Sequence, residues 1–304
     1  MLPMKPAPDQ IEAATVGQDV LSRPIIIVGA PRSGTTLLAG LIAAHRQVAF
    51  FEEPRLIWKY GHDRKSDMLR PADATPRVVR HIRGAFAARV RAAGKMRMAE
   101  KTPSNALRLG FIDRIFPDAR FVHIIRHGLD SVLSIRSYWA GYASGMGGKS
   151  PVRLRQRLAE LNLLRLAYYG PEVLRRLFPR LAGTVLGPNV WGPRIPGIRG
   201  LLKDLDLLDV AALQWRMCVE AACHEGRQLA AGRYMECRLE QMSADMLGSI
   251  LEFCQLDASR QVWQAFESEY AADRASNRKS KASEQQIEKI RGWIDPTLKW
   301  LDYS

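Results

Sequence analysis

Between Pro24 and Leu38 an apolar run, Ile25-Ile26-Ile27-Val28, leads into Gly29-Ala30-Pro31-Arg32-Ser33-Gly34-Thr35-Thr36 and then into further apolar residues. A short apolar run bounded by glycine reads as a strand buried on both faces. A glycine turn that follows such a strand and opens a helix makes a phosphate cradle, because backbone N–H groups and the helix N-terminus converge on one anion. The unit commits the chain to an α/β fold with its ligand at the carboxyl ends of the strands. Gly29, four residues, then Gly34-Thr35-Thr36 has the outline of a nucleotide P-loop, but Thr35 stands where a lysine would reach the β- and γ-phosphates. The loop therefore suits a nucleotide 5′-phosphate better than a Mg-bound triphosphate, with Arg32 and the hydroxyls of Ser33, Thr35 and Thr36 as donors.

Arg120-Phe121-Val122-His123-Ile124-Ile125-Arg126 reads as a second buried strand, and Ser134 follows in a helical stretch that begins near Asp130. A P-loop NTPase needs an acidic residue at the end of such a strand to hold Mg²⁺. This chain has Arg126 instead. An arginine at a strand's carboxyl end and a serine two turns into the next helix can together grip a second, separate phosphate. The structural alternative is that Arg126 pairs with Asp130 and that Ser134 is an ordinary helix-interior serine.

With both motifs in this order, the chain resembles the sulfotransferases that use 3′-phosphoadenosine 5′-phosphosulfate (PAPS). Pro31 to Thr36 is similar to their 5′-phosphosulfate loop, and Arg126 with Ser134 to their 3′-phosphate pair. The resemblance implies PAPS as donor, 3′-phosphoadenosine 5′-phosphate (PAP) as product, and no metal. The implied cofactor contacts are Arg32, Ser33, Gly34, Thr35, Thr36, Arg126 and Ser134. It is nearest to the tyrosylprotein branch and its bacterial relatives, in which a Glu-Glu-x-Arg segment lies a fixed distance past the loop arginine; Glu52-Glu53-Pro54-Arg55 sits at that distance, Glu53 being 21 residues after Arg32.

Glu53 is then the implied general base, with Glu52 as its neighbour and Arg55 as an orienting or acceptor contact. An exposed glutamate, with a pKa of about 4.3, is a weak base, so the role calls for burial beside Glu52. The structural alternative is a carboxylate that caps a helix or pairs with Arg55. Glu100-Lys101-Thr102-Pro103 resembles the family's Lys-Thr-Pro turn and implies that Lys101 neutralises the departing phosphate. A salt bridge from Lys101 to Glu100, or a solvated strand end, is the alternative. Pro103 stands where the hormone-type branch carries a catalytic histidine, which favours a glutamate base.

Toward the C-terminus the likeness thins. Arg238-Leu239-Glu240 stands where the family has Arg-Tyr-Glu, so Leu239 replaces the tyrosine that lies against adenine. Asn277 to Lys281 falls where a basic loop covers the cofactor, and Ile290 to Tyr303 resembles the terminal helix.

The alternation of strands near 25–29, 47–50, 96–99, 120–126 and 233–237 with helical stretches predicts an α/β three-layer sandwich, a central parallel sheet of about five strands flanked by helices. By the resemblance this is the P-loop NTPase-like sulfotransferase fold. Residues 77–93 read as an amphipathic helix with Val79, Ile82, Phe86, Val90 and Ala93 inward. The chain divides into a flexible tail, 1–22, and a single domain, 23–304. Within the domain the Gly- and Pro-rich stretch 140–202 is expected to form a helical and loop lid over the acceptor, or a structural insertion. Residues 1–22 lack a signal-peptide core and no apolar run is long enough to span a membrane, which predicts a cytoplasmic protein. The cysteines 218, 223, 237 and 254 lack zinc or redox spacing and read as buried thiols.

The net charge of +14 raises a competing class, a noncatalytic polyanion binder. No helix-turn-helix or RNA-binding pattern accompanies the charge and aromatic residues are not interleaved with it, so a nucleic-acid partner is not expected. A P-loop kinase or other NTPase is the remaining alternative. The expected partner is a hydroxyl-bearing acceptor such as a glycan, a peptide tyrosine or a natural product, with the basic flanks favouring an acidic one.

Overall fold

The computed structural model describes residues 20–62, 66–143, 190–269 and 282–303. In chain order these form β1 (Ile25–Val28), α1 (Thr35–Ala43), β2 (Val48–Glu52), the short α2 (Arg55–Trp58), α3 (Pro76–Ala92), β3 (Arg97–Lys101), α4 (Leu109–Ile115), β4 (Arg120–Ile125), α5 (Gly128–Ala143), α6 (Ile198–Asp204), α7 (Leu207–Gly226), β5 (Tyr234–Arg238), α8 (Ala244–Cys254), α9 (Arg260–Glu269) and α10 (Glu284–Trp300). The five strands make one sheet in the order β2-β3-β1-β4-β5, and every neighbouring pair is parallel. The three-layer α/β expectation holds.

All four residues of β1 are fully buried, as a continuous apolar run at the centre of a parallel sheet requires. Alternate side chains serve different layers. Ile26 and Val28 join Met98 and Phe121 in the larger core under α3, α4, α5, α7 and α10, while Ile25 and Ile27 join Ala99, Val122 and Ile124 under α1, α8 and α9. Burying each such isoleucine contributes about 1.5–3 kcal/mol.

The strands lie close to their expected positions, with one informative shift. β3 runs on to Lys101, which pairs in register with Glu52 of β2, so Lys101 is a strand residue and not part of the turn. The helix expected over 77–93 starts one residue early because Thr75 caps it by accepting from the Val78 amide. Its buried face is set by Val78, Ile82, Phe86 and Val90, so Val79 is only half-buried and Ala93 is exposed. Leu21 is 2% exposed and joins the larger core, which places the end of the expected tail inside the domain. The expected lid over 140–202 falls largely on 144–189, outside the described residues; α5 enters it and α6 closes it. Asn277 to Lys281 also lies outside them. Among the described residues no helix is long and apolar enough to cross a membrane.

Two glycines give a paired test of this packing. A Cβ on Gly226, at the end of α7, would lie 2.2 Å from the Tyr234 ring, whereas one on Gly248, within α8, would meet nothing within 4 Å. Gly226→Ala is expected to lower stability by about 1–3 kcal/mol through overpacking. Gly248→Ala is expected to raise it by up to about 1 kcal/mol through helix propensity. Urea denaturation of both variants reads the two signs.

Candidate active site

The chain leaves β1 and β4, which are neighbours, toward opposite faces of the sheet: α1 packs on the smaller core and α5 on the larger one. Such a divergence opens a crevice at the strands' carboxyl ends, where open α/β sheets bind ligands. Both sequence motifs meet there. Arg32 Nε donates to Ser134 Oγ at 2.9 Å, and Arg126 Nη1 lies 3.5 Å from the Arg32 carbonyl. The Arg32 guanidinium also lies 5.3 Å from the centre of the Tyr138 ring, one turn past Ser134. Arg32 therefore reaches across to the second motif instead of over its own loop.

The loop is shaped by close approach. A Cβ on Gly29 would lie 2.5 Å from the Ile124 carbonyl oxygen, and Gly34 takes φ 93° at the start of α1. Ser33 is fully buried, and its Oγ donates to the Ala30 carbonyl at 2.7 Å, so this hydroxyl stiffens the loop from within. Helices α3, α7, α8 and α10 start on side-chain caps from Thr75, Asp206, Ser243 and Ser283. By contrast α1 has no side-chain cap and no acidic residue in its first turn, which leaves the N–H groups and positive end of its first turn to an anion. Leu239 packs into the smaller core against Gly34. Arg126 is 7% exposed and also pairs with Asp130 at 3.7 Å, so the structural alternative for this arginine is present alongside its place in the crevice.

Glu53 and Lys101 come together at the ends of β2 and β3. The Glu53 amide donates to the Lys101 carbonyl at 2.9 Å. Lys101 Nζ lies 3.3 Å from Glu52 Oε1 and 3.5 Å from Glu53 Oε1, bridging two carboxylates that would otherwise repel. Arg55 Nη2 adds a 2.6 Å contact to the other oxygen of Glu53. The pairing with Arg55 set as an alternative is thus real, and the burial expected of Glu53 is partial, since its side chain is 18% exposed. Lys101 itself is 2% exposed and does not pair with Glu100, because neighbouring strand residues point to opposite faces. Arg32 (φ 68°) and Glu53 (φ 48°) both sit in the left-handed region, a cost of order 1–3 kcal/mol each that proteins tend to keep at functional sites.

Sequence reasoning missed the polar network beneath this pair. Glu100 is fully buried and accepts from Trp58 Nε1 at 3.1 Å, Thr102 Oγ1 at 2.9 Å and Asn105 Nδ2 at 2.5 Å. Burial pushes its carboxyl up to about 7, against these donors and Arg108. Arg108, also buried, donates to Asn105 Oδ1 at 2.8 and 2.6 Å and lies over the Trp58 ring. Burial alone would raise the Asp67 carboxyl, but the Arg108 and Arg194 guanidiniums hold it below its usual range. Asp67 accepts the Arg194 amide at 2.8 Å and its guanidinium at 3.0–3.1 Å. Asp67 and Arg194 are too far apart in the chain for any local pattern to pair them.

A second unforeseen cluster joins His123, Cys223 and Glu236, whose ligand-type atoms lie within 4.8 Å of one another. Tyr234 ties it together, its hydroxyl 2.6 Å from His123 Nδ1, while Arg227 holds Glu236 through two contacts at 2.8 and 2.9 Å. Burial holds the imidazole down to about 4 and pushes the Cys223 thiol up to about 12, so these two members are neutral, while the Glu236 carboxyl, which burial alone would raise, is held below its usual range by Arg227. All four cysteines are buried and free.

Residues 24–173 match the model of the Sulfotransferase family. Nodulation protein NoeE of Sinorhizobium fredii is 28% identical over 142 residues, 41% of this chain and 34% of that protein. Protein-tyrosine sulfotransferase A of Caenorhabditis elegans is 30% identical over 125 residues, 37% of this chain and 33% of that protein. The match spans about a third of the length of these relatives. Among solved structures, sulfotransferase STF9 from Mycobacterium avium aligns over 97% of this chain and 82% of its own with a TM-score of 0.49 and 14% identity.

The network yields a pH test. A carboxyl whose folded pKa is raised from 4.5 to about 7 favours the folded state below pH 4.5, and that contribution is lost as the pH rises to about 7. The stability of the wild type relative to Glu100→Gln should therefore fall by about 3 kcal/mol between those pH values and stay level above them. Paired denaturation curves across that range check the slope.

Proposed function

Through residues 24–173 the chain belongs to the sulfotransferase family, and from that premise we propose that it is a PAPS-dependent O-sulfotransferase acting by direct in-line transfer to a hydroxyl. The observation that carries the reading is the crevice between β1 and β4, where an uncapped helix start and the Arg32, Arg126 and Ser134 cluster lie side by side. Two anion grips at one strand boundary fit a nucleotide with phosphates on both ends of its ribose.

In this reading the α1 amides and the hydroxyls of Thr35 and Thr36 hold the 5′-phosphosulfate, with Gly34 allowing close approach. Ser33 supports that loop from inside. Arg126 and Ser134 hold the 3′-phosphate, and Arg32 spans the two grips. PAPS supplies the sulfuryl group. Glu53 receives the acceptor's proton, and Lys101, shared between Glu52 and Glu53 in the structure, offsets the charge that builds on the leaving phosphate. Arg55 orients Glu53 and faces the acceptor. Sulfuryl transfer is mainly alignment and electrostatics, so fixed cations matter more than an acid of high reactivity. Arg126, in place of a metal-holding acid, supports a metal-independent step. Peptide tyrosine is one acceptor class in keeping with the names of the relatives, and a glycan or another acidic hydroxyl compound is compatible with the basic surface. Four free thiols fit a reducing compartment, and a cytoplasmic site of action is part of the same proposal.

PAP is expected to raise the melting temperature without Mg²⁺, and a shift produced only by Mg-ATP would refute the reading. Glu53→Gln should lower kcat by about 10²–10⁴-fold with PAP affinity nearly unchanged. Arg126→Ala should weaken PAP binding by about tenfold or more, since a charge-assisted contact contributes roughly 1.5–3 kcal/mol. Calorimetry and turnover with labelled PAPS separate the two effects.

A further inference from the structure

We infer that Glu100 is a positioning residue for the transfer reaction, its buried carboxylate locking the turn that follows Lys101 to the helix that follows Glu53. The inference rests on the roles proposed above for Glu53 and Lys101.

Lys101 ends β3 and Glu53 lies one residue past β2, and the two are joined at the backbone by one hydrogen bond, from the Glu53 amide to the Lys101 carbonyl. A single bond at the end of a two-strand ladder does not fix the direction in which either chain leaves. Both chains turn at once. Glu53 takes a left-handed conformation and passes through Pro54 into α2, while Lys101 passes through Thr102 into the turn 103–107. Glu100 accepts one donor from the first exit, Trp58 Nε1, and two from the second, Thr102 Oγ1 and Asn105 Nδ2. A fully buried carboxylate cannot exchange any of these for water, so losing one leaves a costly orphan. The geometry of both exits is thereby held by one group on the face of β3 opposite Lys101.

The lock is itself braced. Asn105, having given its amide to Glu100, accepts Arg108 through its own oxygen, and Arg108 faces Asp67, which grips Arg194. Displacement of reacting groups by about 1 Å can cost about 10²-fold in rate. Glu100 touches neither reacting group, so its effect is transmitted through the two exits.

The test compares wild type, Glu100→Gln and Tyr234→Phe, the last removing a buried hydroxyl from the unrelated His123 cluster. Hydrogen exchange at matched pH should speed by at least about tenfold in both 52–58 and 101–108 of Glu100→Gln and in neither segment of Tyr234→Phe. Its kcat should fall about 10–100-fold while the donor KM and PAP affinity stay within about threefold. Unchanged exchange in either segment, a kcat no lower than that of Tyr234→Phe, or a PAP affinity that falls in step with kcat would overturn the proposal. Should Glu100→Gln fail to fold, Trp58→Phe deletes one donor and spares the carboxylate; faster exchange confined to 52–58 with a several-fold lower kcat supports the lock, and no change in either refutes it. A wild type that ignores PAP and transfers nothing would remove the functional reading and the positioning role with it, while the exchange measurement would still report on the tie.

Discussion

Water reaches neither face of Ile25–Val28, and that exclusion decides where chemistry can occur in this molecule. A strand sealed on both sides can offer polar groups only where it ends. At its carboxyl end the chain must turn within a few residues, and the turn is crowded enough that Gly29 has no room for a side chain and Gly34 must adopt a positive φ. The helices after β1 and β4 hide their apolar sides on opposite faces of the sheet. The crevice is a by-product of packing, and the charged side chains gather at the one place where the core gives way.

Much of this was legible because it depends on short-range pattern. Continuous apolar runs, which have few other uses, mark β1 and β4, whereas β3 and β5 carry charged residues within the strand and were placed by the α/β alternation and the family resemblance. The residues of the glycine loop, Arg126 and Ser134 were likewise named from spacing along one strand, turn and helix. The inward face of α3 was read correctly at Ile82, Phe86 and Val90 and missed at its two ends, where Val78 is buried in place of Val79 and Ala93 lies past the helix and is exposed. What spacing could not supply was orientation. Arg32 was expected over its own loop and instead spans to Ser134, a choice made by the left-handed backbone and the Tyr138 ring.

The Glu100 network was illegible for a different reason. In the chain, Glu100 is simply the residue beside a lysine, and adjacent opposite charges invite a salt-bridge reading. Strand geometry separates them onto different faces, so Lys101 bridges the carboxylates of Glu52 and Glu53 at the end of β2 while Glu100 collects neutral donors from below. The two neighbours are consequently in opposite electrostatic settings: a shared cation between two acids on one side, and a desolvated acid among N–H and O–H groups on the other. A sheet of this kind can keep adjacent charges from neutralising each other simply by alternation.

The clamp of Asp67 on Arg194, the packing of Trp191 on Tyr138 and the hold of Gln214 on the Trp191 carbonyl fasten the approach to α6 to three elements: the loop before α3, helix α5 and helix α7. A segment tied to three separate elements is over-determined in position. Losing one of these ties still leaves the approach to α6 held by the other two.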